Sequence, residues 1–568
     1  MYVRVTATPN SPRKSVKVVE SIRHGLKVKQ TMIHHVGIAS DETEIEKLKQ
    51  LGREFIAREQ LKRERRSEQG SLFDLQTPEQ RLADIATFER SKTAKKLGRK
   101  PKAQLRDVTS QDLVSLADLV EERRVIEGIH DVAGCVYDQL GYNELLLPLK
   151  EKELLKDVVL MRLAHPSSKL KAQALLDKRF NRTHDIDAVY RLMDKLYPKI
   201  DDLKAQTFQR TRQLAPETID VLFFDCTTLY FESTETDGLR QFGYSKDHRF
   251  NTTQVVLALA TNSDGLPIGY ELFEGNKAEV KTLLACLETW KRSFKIGSVC
   301  FVADRAMMSD ENLTALEEQG HSYVIAAKLR SLPSSLKDDV LSAENYRPTS
   351  FGDHLGWVGE FEYKGRRLIA SYKTARAKRD SHQRNQVIEK IKKTLGSQGS
   401  AQKLITNSGV KKFTKSEASK TVLDQDKIDR DADWDGLHGV ITNLRRESAT
   451  ELLARYGRLW KIEESFRLNK HTLSMRPIYH FKPERIKSHI ALCYMAFSVL
   501  RNMEYVVKMT QKMSVEVILD ELMHVEASLL RHTPTGKLYR MPGKFSRNAS
   551  KIYKAFQLER RNHAQEMI

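Results

Sequence analysis

Three acidic residues have the side-chain type and the sequence surroundings that metal-dependent chemistry on phosphodiester bonds requires. Asp225 and Asp304 each follow a short apolar run of the strand type, Val221–Phe224 and Val299–Ala303, and Glu463 lies in a run with helical periodicity. Two divalent cations held by carboxylates activate the nucleophile, neutralise the phosphate and stabilise the leaving oxygen. Mg²⁺ prefers carboxylate and water oxygens as ligands. We therefore predict two Mg²⁺ ions, replaceable by Mn²⁺, with Asp225 bridging both, Asp304 holding one and Glu463 the other.

The cysteines and histidines do not suggest a competing transition-metal site. The five cysteines show no close pairing such as C-x-x-C, and most of them lie in apolar runs. We interpret them as reduced thiols of a cytosolic protein. They are Cys135, Cys226, Cys286, Cys300 and Cys493.

Two apolar strands must bring the aspartates together. Between them the sequence predicts a hairpin, Thr253–Thr261 and Leu266–Phe273, and a helix with an apolar face from Val280 to Trp290. The order strand, hairpin, helix, strand lets the two aspartate-bearing strands lie parallel and adjacent through a long crossover. Their carboxylates would then meet near the carboxyl ends of the strands, where open α/β sheets usually place their sites.

Helix geometry distinguishes Glu463 from its neighbour Glu464. At about 100° per residue, one apolar stripe of this helix should face the core; it comprises Leu459, Ile462, Phe466 and Leu473. Glu463 lies at the edge of the stripe and would reach a site beside the sheet, whereas Glu464 would point into solvent. Four further side chains should lie within ~60° of Glu463 on the same flank: Tyr456, Trp460, Arg467 and Lys470.

The charge balance indicates a polyanionic partner. Lys and Arg number 95 against 75 Asp and Glu, which gives a net charge of +20 and a pI near 9.5. Cationic side chains that meet phosphates release condensed counterions, so we predict a nucleic acid as the partner. The longest apolar stretch, from about His489 to Leu500, is too short to span a bilayer. We therefore expect no membrane partner and a cytoplasmic location.

The chain is several times the usual length of a domain, so we expect accessory domains around a catalytic one. The predicted order is an N-terminal β element, charged helix and basic linker (1–106), a helical and DNA-binding region (107–215), the first segment of the core (216–328), a mostly β insertion (329–447), the second segment of the core (448–510) and a basic C-terminal region (511–568).

Three segments have both a DNA-binding and an ordinary structural interpretation. Leu154–Ala164 and Lys169–Phe180 have the outline of a helix-turn-helix, although generic helix packing explains them equally well. The basic segment 90–106 suits either a solvated linker or an arm in a DNA groove. The tail from Leu530 to Ile568 suits either a DNA clamp or an ordinary amphipathic end.

Motifs in a fixed order give the chain a specific resemblance. It resembles bacterial insertion-sequence transposases of the DDE class, in one branch of which the glutamate helix carries Tyr, Arg, Glu and Lys at fixed spacing. That register falls here on Tyr456, Leu459, Glu463 and Lys470, so leucine replaces the arginine, and Arg467 is our hypothetical substitute. Other matching segments are Phe224–Thr228, Gly243–Asp247, Gly265–Tyr270, Glu274–Asn276, Ala303–Met307, Asp435–Gly439 and Arg476–His480.

The resemblance implies a fold, an activity and partners. The fold is α/β, with an RNase H-like mixed sheet flanked by helices, interrupted by the mostly β insertion and preceded by the mainly helical region. The implied activity is cut-and-paste movement of double-stranded DNA. A homodimer would pair the two terminal inverted repeats and join them to target DNA in the bacterial nucleoid. Asp225, Asp304 and Glu463 would be catalytic and metal-binding, and Tyr456, Arg467 and Lys470 would contact DNA.

Two other functions stay open at this point. An RNase H-like nuclease would cut without joining and would need no end-specific binding region, whereas more than 200 residues precede Asp225. A catalytically silent DNA-binding regulator derived from a transposase would need no acidic triad, and all three acids are present.

Overall fold

The computed structural model describes most of the chain after residue 113. Its described residues are 2–7, 14–24, 27–39, separate positions between 42 and 56, 114–214, 221–243, 251–278, 281–294, 299–307, 309–351, 354–395, 412–417 and 420–567. The chain divides into two compact units, residues 1–108 and residues 109–568.

The first unit contains the β element that the sequence predicts. Strands β1 (Tyr2–Ala7), β2 (Lys14–His24) and β3 (Lys27–Ala39) form an antiparallel sheet in chain order. The predicted charged helix from Asp41 to Arg66 is described only at separate positions, which are helical, and the basic segment 90–106 lies outside the described residues.

A nine-stranded mixed sheet forms the centre of the second unit. Its strands lie in the order β10-β11-β12-β15-β9-β8-β5-β6-β7. They are β5 (Val221–Tyr230), β6 (Gln254–Thr261), β7 (Pro267–Glu274), β8 (Cys300–Ala303), β9 (Ser322–Ala326), β10 (Arg347–Phe351), β11 (His354–Tyr363), β12 (Arg366–Tyr372) and β15 (Leu437–Thr442), while β13 (Thr414–Glu417) and β14 (Lys420–Leu423) form a separate hairpin.

The strands of the predicted insertion extend this sheet. β15 pairs antiparallel with β9 on one side and with β12 on the other, and β11 and β10 continue outward from β12. The predicted hairpin is present as β6 and β7, and β5 and β8 are parallel neighbours, as expected. The α/β fold class with a mixed sheet and flanking helices is therefore confirmed.

Helices cover both faces of the sheet. They are α1 (Gly134–Gln139), α2 (Leu149–Ala164), α3 (Lys169–Phe180), α4 (Ile186–Leu196), α5 (Ile200–Leu214), α6 (Thr282–Phe294), α7 (Asp310–Glu318), α8 (Ser334–Leu341), α9 (Thr374–Leu395), α10 (Gln425–Ala432), α11 (Ala449–Tyr456), α12 (Trp460–Arg467), α13 (Pro483–Thr510), α14 (Val515–Met523) and α15 (Arg547–Ala555).

Two hydrophobic cores follow from the alternation of side chains along the strands. Phe224 and Phe301 lie in one core with residues of α5, α6 and α7, whereas Phe223 and Val302 lie in the other with residues of α2, α12 and α13. Helix α13 is long and apolar enough to cross a membrane, but 89% of its most apolar window is buried in the protein. Such burial is typical of a core helix.

A second sheet corrects the expectation that residues 113–214 are helical throughout. Strand β4 (Leu119–Ile126) pairs with β16 (Glu526–His532), and β17 (Leu538–Pro542) and β18 (Gln565–Met567) complete the sheet. The strand forms because a partner near the C-terminus accepts its backbone hydrogen bonds, which no local pattern in β4 reveals. Helices α2 and α3 agree with the predicted pair.

Candidate active site

Asp225 and Asp304 lie on neighbouring parallel strands at the same level of the sheet. Phe224 of β5 pairs with Ala303 of β8, and each aspartate is the next residue along its strand. Because side chains alternate between faces, both aspartates lie on the face of Phe223 and Val302. Strand β8 ends before Asp304, as expected, but β5 continues past Asp225 to Tyr230 because its second half pairs with β6.

The chain itself orients both carboxylates. Oδ1 of Asp225 accepts a hydrogen bond from the backbone N–H of Cys226 at 2.7 Å, and Oδ1 of Asp304 accepts one from the N–H of Arg305 at 2.7 Å. Both aspartates are half-buried. A carboxylate held in this way presents its oxygens in a fixed direction, which favours binding of a cation.

The glutamate helix crosses the face of the sheet on which the aspartates lie. Helix α11 contacts β8 and β9, and α12 contacts β5 and β6. The side chain of Ser448 caps α11 in a capping box with Glu451. A 3₁₀ turn (Gly457–Leu459) separates α11 from α12, and a π-helical segment (Leu468–Thr472) follows. The predicted apolar stripe is buried, and Glu463 is exposed beside it.

Tyr456, at the end of α11, lies within electrostatic range of all three acids. Burial raises the pKa of its phenol, and the charges of Asp304, Glu463 and Asp225 raise it further, while Arg376 opposes them. A negative charge perturbs a hydroxyl only over a short range. The three acids therefore lie in the same region of the fold, although 238 residues separate Asp225 from Glu463 in the sequence.

The donor atoms suit hard divalent cations, but they are not yet gathered as closely as ligands are. Among the described residues, no group of three or more His, Cys, Asp or Glu side chains is close enough to hold a metal ion. Asp225 and Asp304 provide carboxylate oxygens on adjacent strands, and Glu463 has an exposed side chain free of close packing. The chemistry of the three carboxylates fits Mg²⁺.

One expectation about this helix is wrong. Glu464 does not point into solvent: its Oε2 accepts a hydrogen bond from Nη1 of Arg501 at 3.2 Å, and the side chain is only 23% exposed. Nη2 of Arg467 lies 3.7 Å from Oε1 of Glu464, and the Arg467 side chain is exposed. Glu464 turns away from solvent because it forms an ion pair with Arg501, a buried cation of α13.

The third predicted DNA contact lies farther along the same run. Lys470 is half-buried in the π-helical segment that follows α12. It remains a predicted DNA contact, as do Tyr456 and Arg467.

A cleft of about 1100 Å³ opens beside Asp304 and Tyr456. His438 of β15 lies in it, with its ring 4.9 Å from the ring of Tyr456. Burial, and then Arg376 and Lys373, lower the pKa of His438 to about 4, so the imidazole is neutral near pH 7. Our sequence reasoning missed His438 and Arg376 as site residues, although His438 lies in a motif that carries the resemblance.

One of three comparisons with known proteins gives a family match. The profile of the family described as "Transposase DDE domain" matches residues 216–499, which is half of the chain. No curated protein sequence matches the chain. Among solved structures, the cryo-EM structure of a piggyBac transposase synaptic complex with hairpin DNA is 9% identical, with a TM-score of 0.35 over 70% of this chain and 77% of that chain.

Proposed function

Because the chain belongs to the transposase DDE domain family, whose members cleave and join DNA strands, we propose that Asp225, Asp304 and Glu463 form its catalytic site. The chain is a DNA transposase, and its family depends on divalent metal ions. The finer proposal is that two Mg²⁺ ions, replaceable by Mn²⁺, bind to these three carboxylates.

One observation carries this proposal. The two aspartates each follow one member of a residue pair on adjacent parallel strands, and they lie on the face of the sheet that α11 and α12 cross. The charge of Glu463, like the charges of the aspartates, raises the pKa of Tyr456. This arrangement of two strands and a helix that are distant in sequence supports a shared site for the three carboxylates. Ordinary ion pairing of surface acids does not require such an arrangement.

Each residue has a role in the reaction. Divalent ions supply an activated oxygen nucleophile and neutralise charge on the phosphate and on the leaving oxygen. The aspartates, oriented by the amides that follow them, would fix the position of the ions relative to the sheet. Glu463 would complete the set when DNA is bound. The raised pKa of Tyr456 keeps its phenol protonated at neutral pH, so it can donate a hydrogen bond to a phosphate oxygen.

The family and the charge support a proposal for the substrate and the assembly. DNA is the partner of the chain. We propose that it acts on the terminal inverted repeats of its own element and on target DNA by cut-and-paste movement, as a homodimer that pairs two ends, in the cytoplasm on the nucleoid. The net charge of +20 supports binding to DNA.

The test is cleavage and strand transfer on a duplex that carries the element's own ends. The variants are Asp225→Asn, Asp304→Asn and Glu463→Gln, with Asp338→Asn and Glu484→Gln as controls, since these two acids are exposed and lie outside the site. We expect the three site variants to lose both activities and to retain end binding. EDTA should abolish the wild-type reaction, and Mg²⁺ or Mn²⁺ should restore it.

The same assay separates the other two functions. Cleavage without joining would identify a nuclease, and binding without cleavage would identify a silent regulator. Full activity in any one of the three site variants would refute the assignment of that residue.

A further inference from the structure

The cleft beside Asp304 is lined by cations from several elements. They include Arg305 after β8, Lys328 and Arg330 after β9, Arg376 of α9 and Lys412, against Asp304 and Asp380 on the acidic side. A cleft with this excess of positive charge attracts a polyanion. The cleft contains Asp304 and Tyr456, so a bound polyanion would lie directly at the catalytic carboxylates.

Two of these cations, Lys412 and Arg330, are already paired with an acid. Lys412 lies 2.5 Å from Asp431, and Arg330 binds the same carboxylate. Arg384 of α9 binds Asp435 through both of its terminal nitrogens, at 2.5 and 2.7 Å. These pairs fix the wall of the cleft.

Arg376 is paired less completely than these cations. Its Nε lies 3.6 Å from Oδ2 of Asp380, which is too far for a hydrogen bond, and this buried nitrogen has no hydrogen-bond partner among the described residues. Oδ2 of Asp380 instead accepts the backbone N–H of Gly436 at 3.1 Å. Buried N–H groups without an acceptor are unfavourable and uncommon, which suggests that a ligand supplies the acceptor.

The position of Arg376 is fixed relative to the site. Asp380 connects α9 to the turn at Gly436, and that turn leads into β15, which carries His438. The guanidinium charge lowers the pKa of both His438 and Tyr456, so it acts on the inner end of the cleft. Arg376, a residue of the predicted insertion, thus lines the same cleft as Asp304.

We propose that Arg376 binds a phosphate of the DNA strand next to the bond that is cleaved. The inference rests on the proposed function of the site. A guanidinium offers parallel N–H donors that match two phosphate oxygens, and the unsatisfied Nε of Arg376 is one such donor. Asp380 positions the guanidinium by charge, and the DNA phosphate completes its hydrogen bonds.

The experiment measures binding of a duplex that carries the element's end and its flanking DNA, by fluorescence anisotropy in EDTA at a series of KCl concentrations. Arg376→Gln is compared with wild type and with Arg379→Gln, which removes an exposed charge from the same helix outside the cleft. We expect Arg376→Gln to bind roughly tenfold more weakly. The salt dependence, d log K/d log[KCl], should be about 0.9 smaller in magnitude for this variant only.

A scan with single methylphosphonates then locates the contact. One neutralised phosphate near the cleavage position should weaken binding by wild type and by Arg379→Gln, but not by Arg376→Gln. Arg376→Lys retains the positive charge but lacks the paired N–H donors of the guanidinium. The salt dependence of DNA binding by this variant should therefore match wild type, while its sensitivity to that methylphosphonate should fall. This variant decides the question if Arg376→Gln is not folded.

Equal salt dependence and equal methylphosphonate profiles for the Arg376 and Arg379 variants would overturn the inference. Failure of the proposed function is distinguishable, because it would appear as absence of Mg²⁺-dependent cleavage by wild type. The binding comparison in EDTA does not depend on that result.

Discussion

Replacing Arg501 with methionine tests how α12, and with it Glu463, is held on the sheet. Arg501 is 3% exposed and donates to three acceptors: Nη1 to Glu504 at 2.7 Å and to Glu464 at 3.2 Å, and Nε to the carbonyl of Gly265 at 3.1 Å. It therefore joins α13, α12 and the turn between β6 and β7. Methionine fills a similar volume without the charge.

The expected loss of stability follows from the acids that remain. Removing one partner of a buried ion pair costs about 3–5 kcal/mol, because the other charge stays buried. Glu504 retains Lys508 at 2.5 Å, and Glu464 retains Arg467 at 3.7 Å. We therefore expect the lower end of the range, about 3 kcal/mol. Arg501→Met combined with Glu504→Met should recover some of this loss, since the second change removes the unpaired acid.

Urea denaturation followed by tryptophan fluorescence measures these changes in the free energy of unfolding. Arg446→Met serves as the control, because Arg446 is exposed and its loss should change stability by less than about 0.5 kcal/mol. Under conditions where Arg501→Met is folded, DNA cleavage should fall roughly 100-fold, since a displacement of Glu463 by about 1 Å misaligns the site. A loss below about 1 kcal/mol, or a double variant as unstable as the sum of the two single variants, would refute the reasoning.

Three further perturbations test other regions of the structure. Gly265→Ala should destabilise the protein by more than about 1 kcal/mol in urea denaturation, because Gly265 has φ +82° and a Cβ there would collide with Nη2 of Arg501. His480→Phe should reduce the loss of folding stability that occurs between pH 7 and pH 4.5. Burial and nearby cations lower the pKa of His480 to about 4, so in wild type the unfolded chain binds a proton at His480 before the folded protein does as the pH falls. Val125→Asp places a charge in the small core of β4 and β16 and should cost about 3 kcal/mol, whereas the exposed Val120→Asp on the same strand should cost much less.

The aspartate strands were predictable from sequence because their signals are local. A continuous apolar run marks each of β5 and β8, and the turn Asn262–Gly265 marks the hairpin between them. The crossover rule then places the strands side by side without any knowledge of distant contacts. That rule was sufficient to bring Asp225 and Asp304 together.

The features that sequence reasoning missed depend on distant partners. Glu464 appeared to face solvent because its partner, Arg501, lies 37 residues away on another helix. Arg376 was one of many cations in a basic helix, and only the folding of α9 beside β15 brings it to Tyr456. Strand β4 likewise has no neighbour in sequence that reveals its pairing. In each case the decisive interaction is tertiary.

The pairing of β4 with β16 has a consequence for synthesis of the protein. Ile126 pairs with Glu526, so 400 residues must be translated before the first strand of this sheet meets its partner. At about 5–20 residues per second, the wait is roughly 20–80 s. During that interval the backbone groups of β4 lack the partner strand with which they pair in the folded protein. A ribosome that stops before β16 releases a chain in which the catalytic sheet has been made and the sheet that joins the two ends of the second unit cannot form.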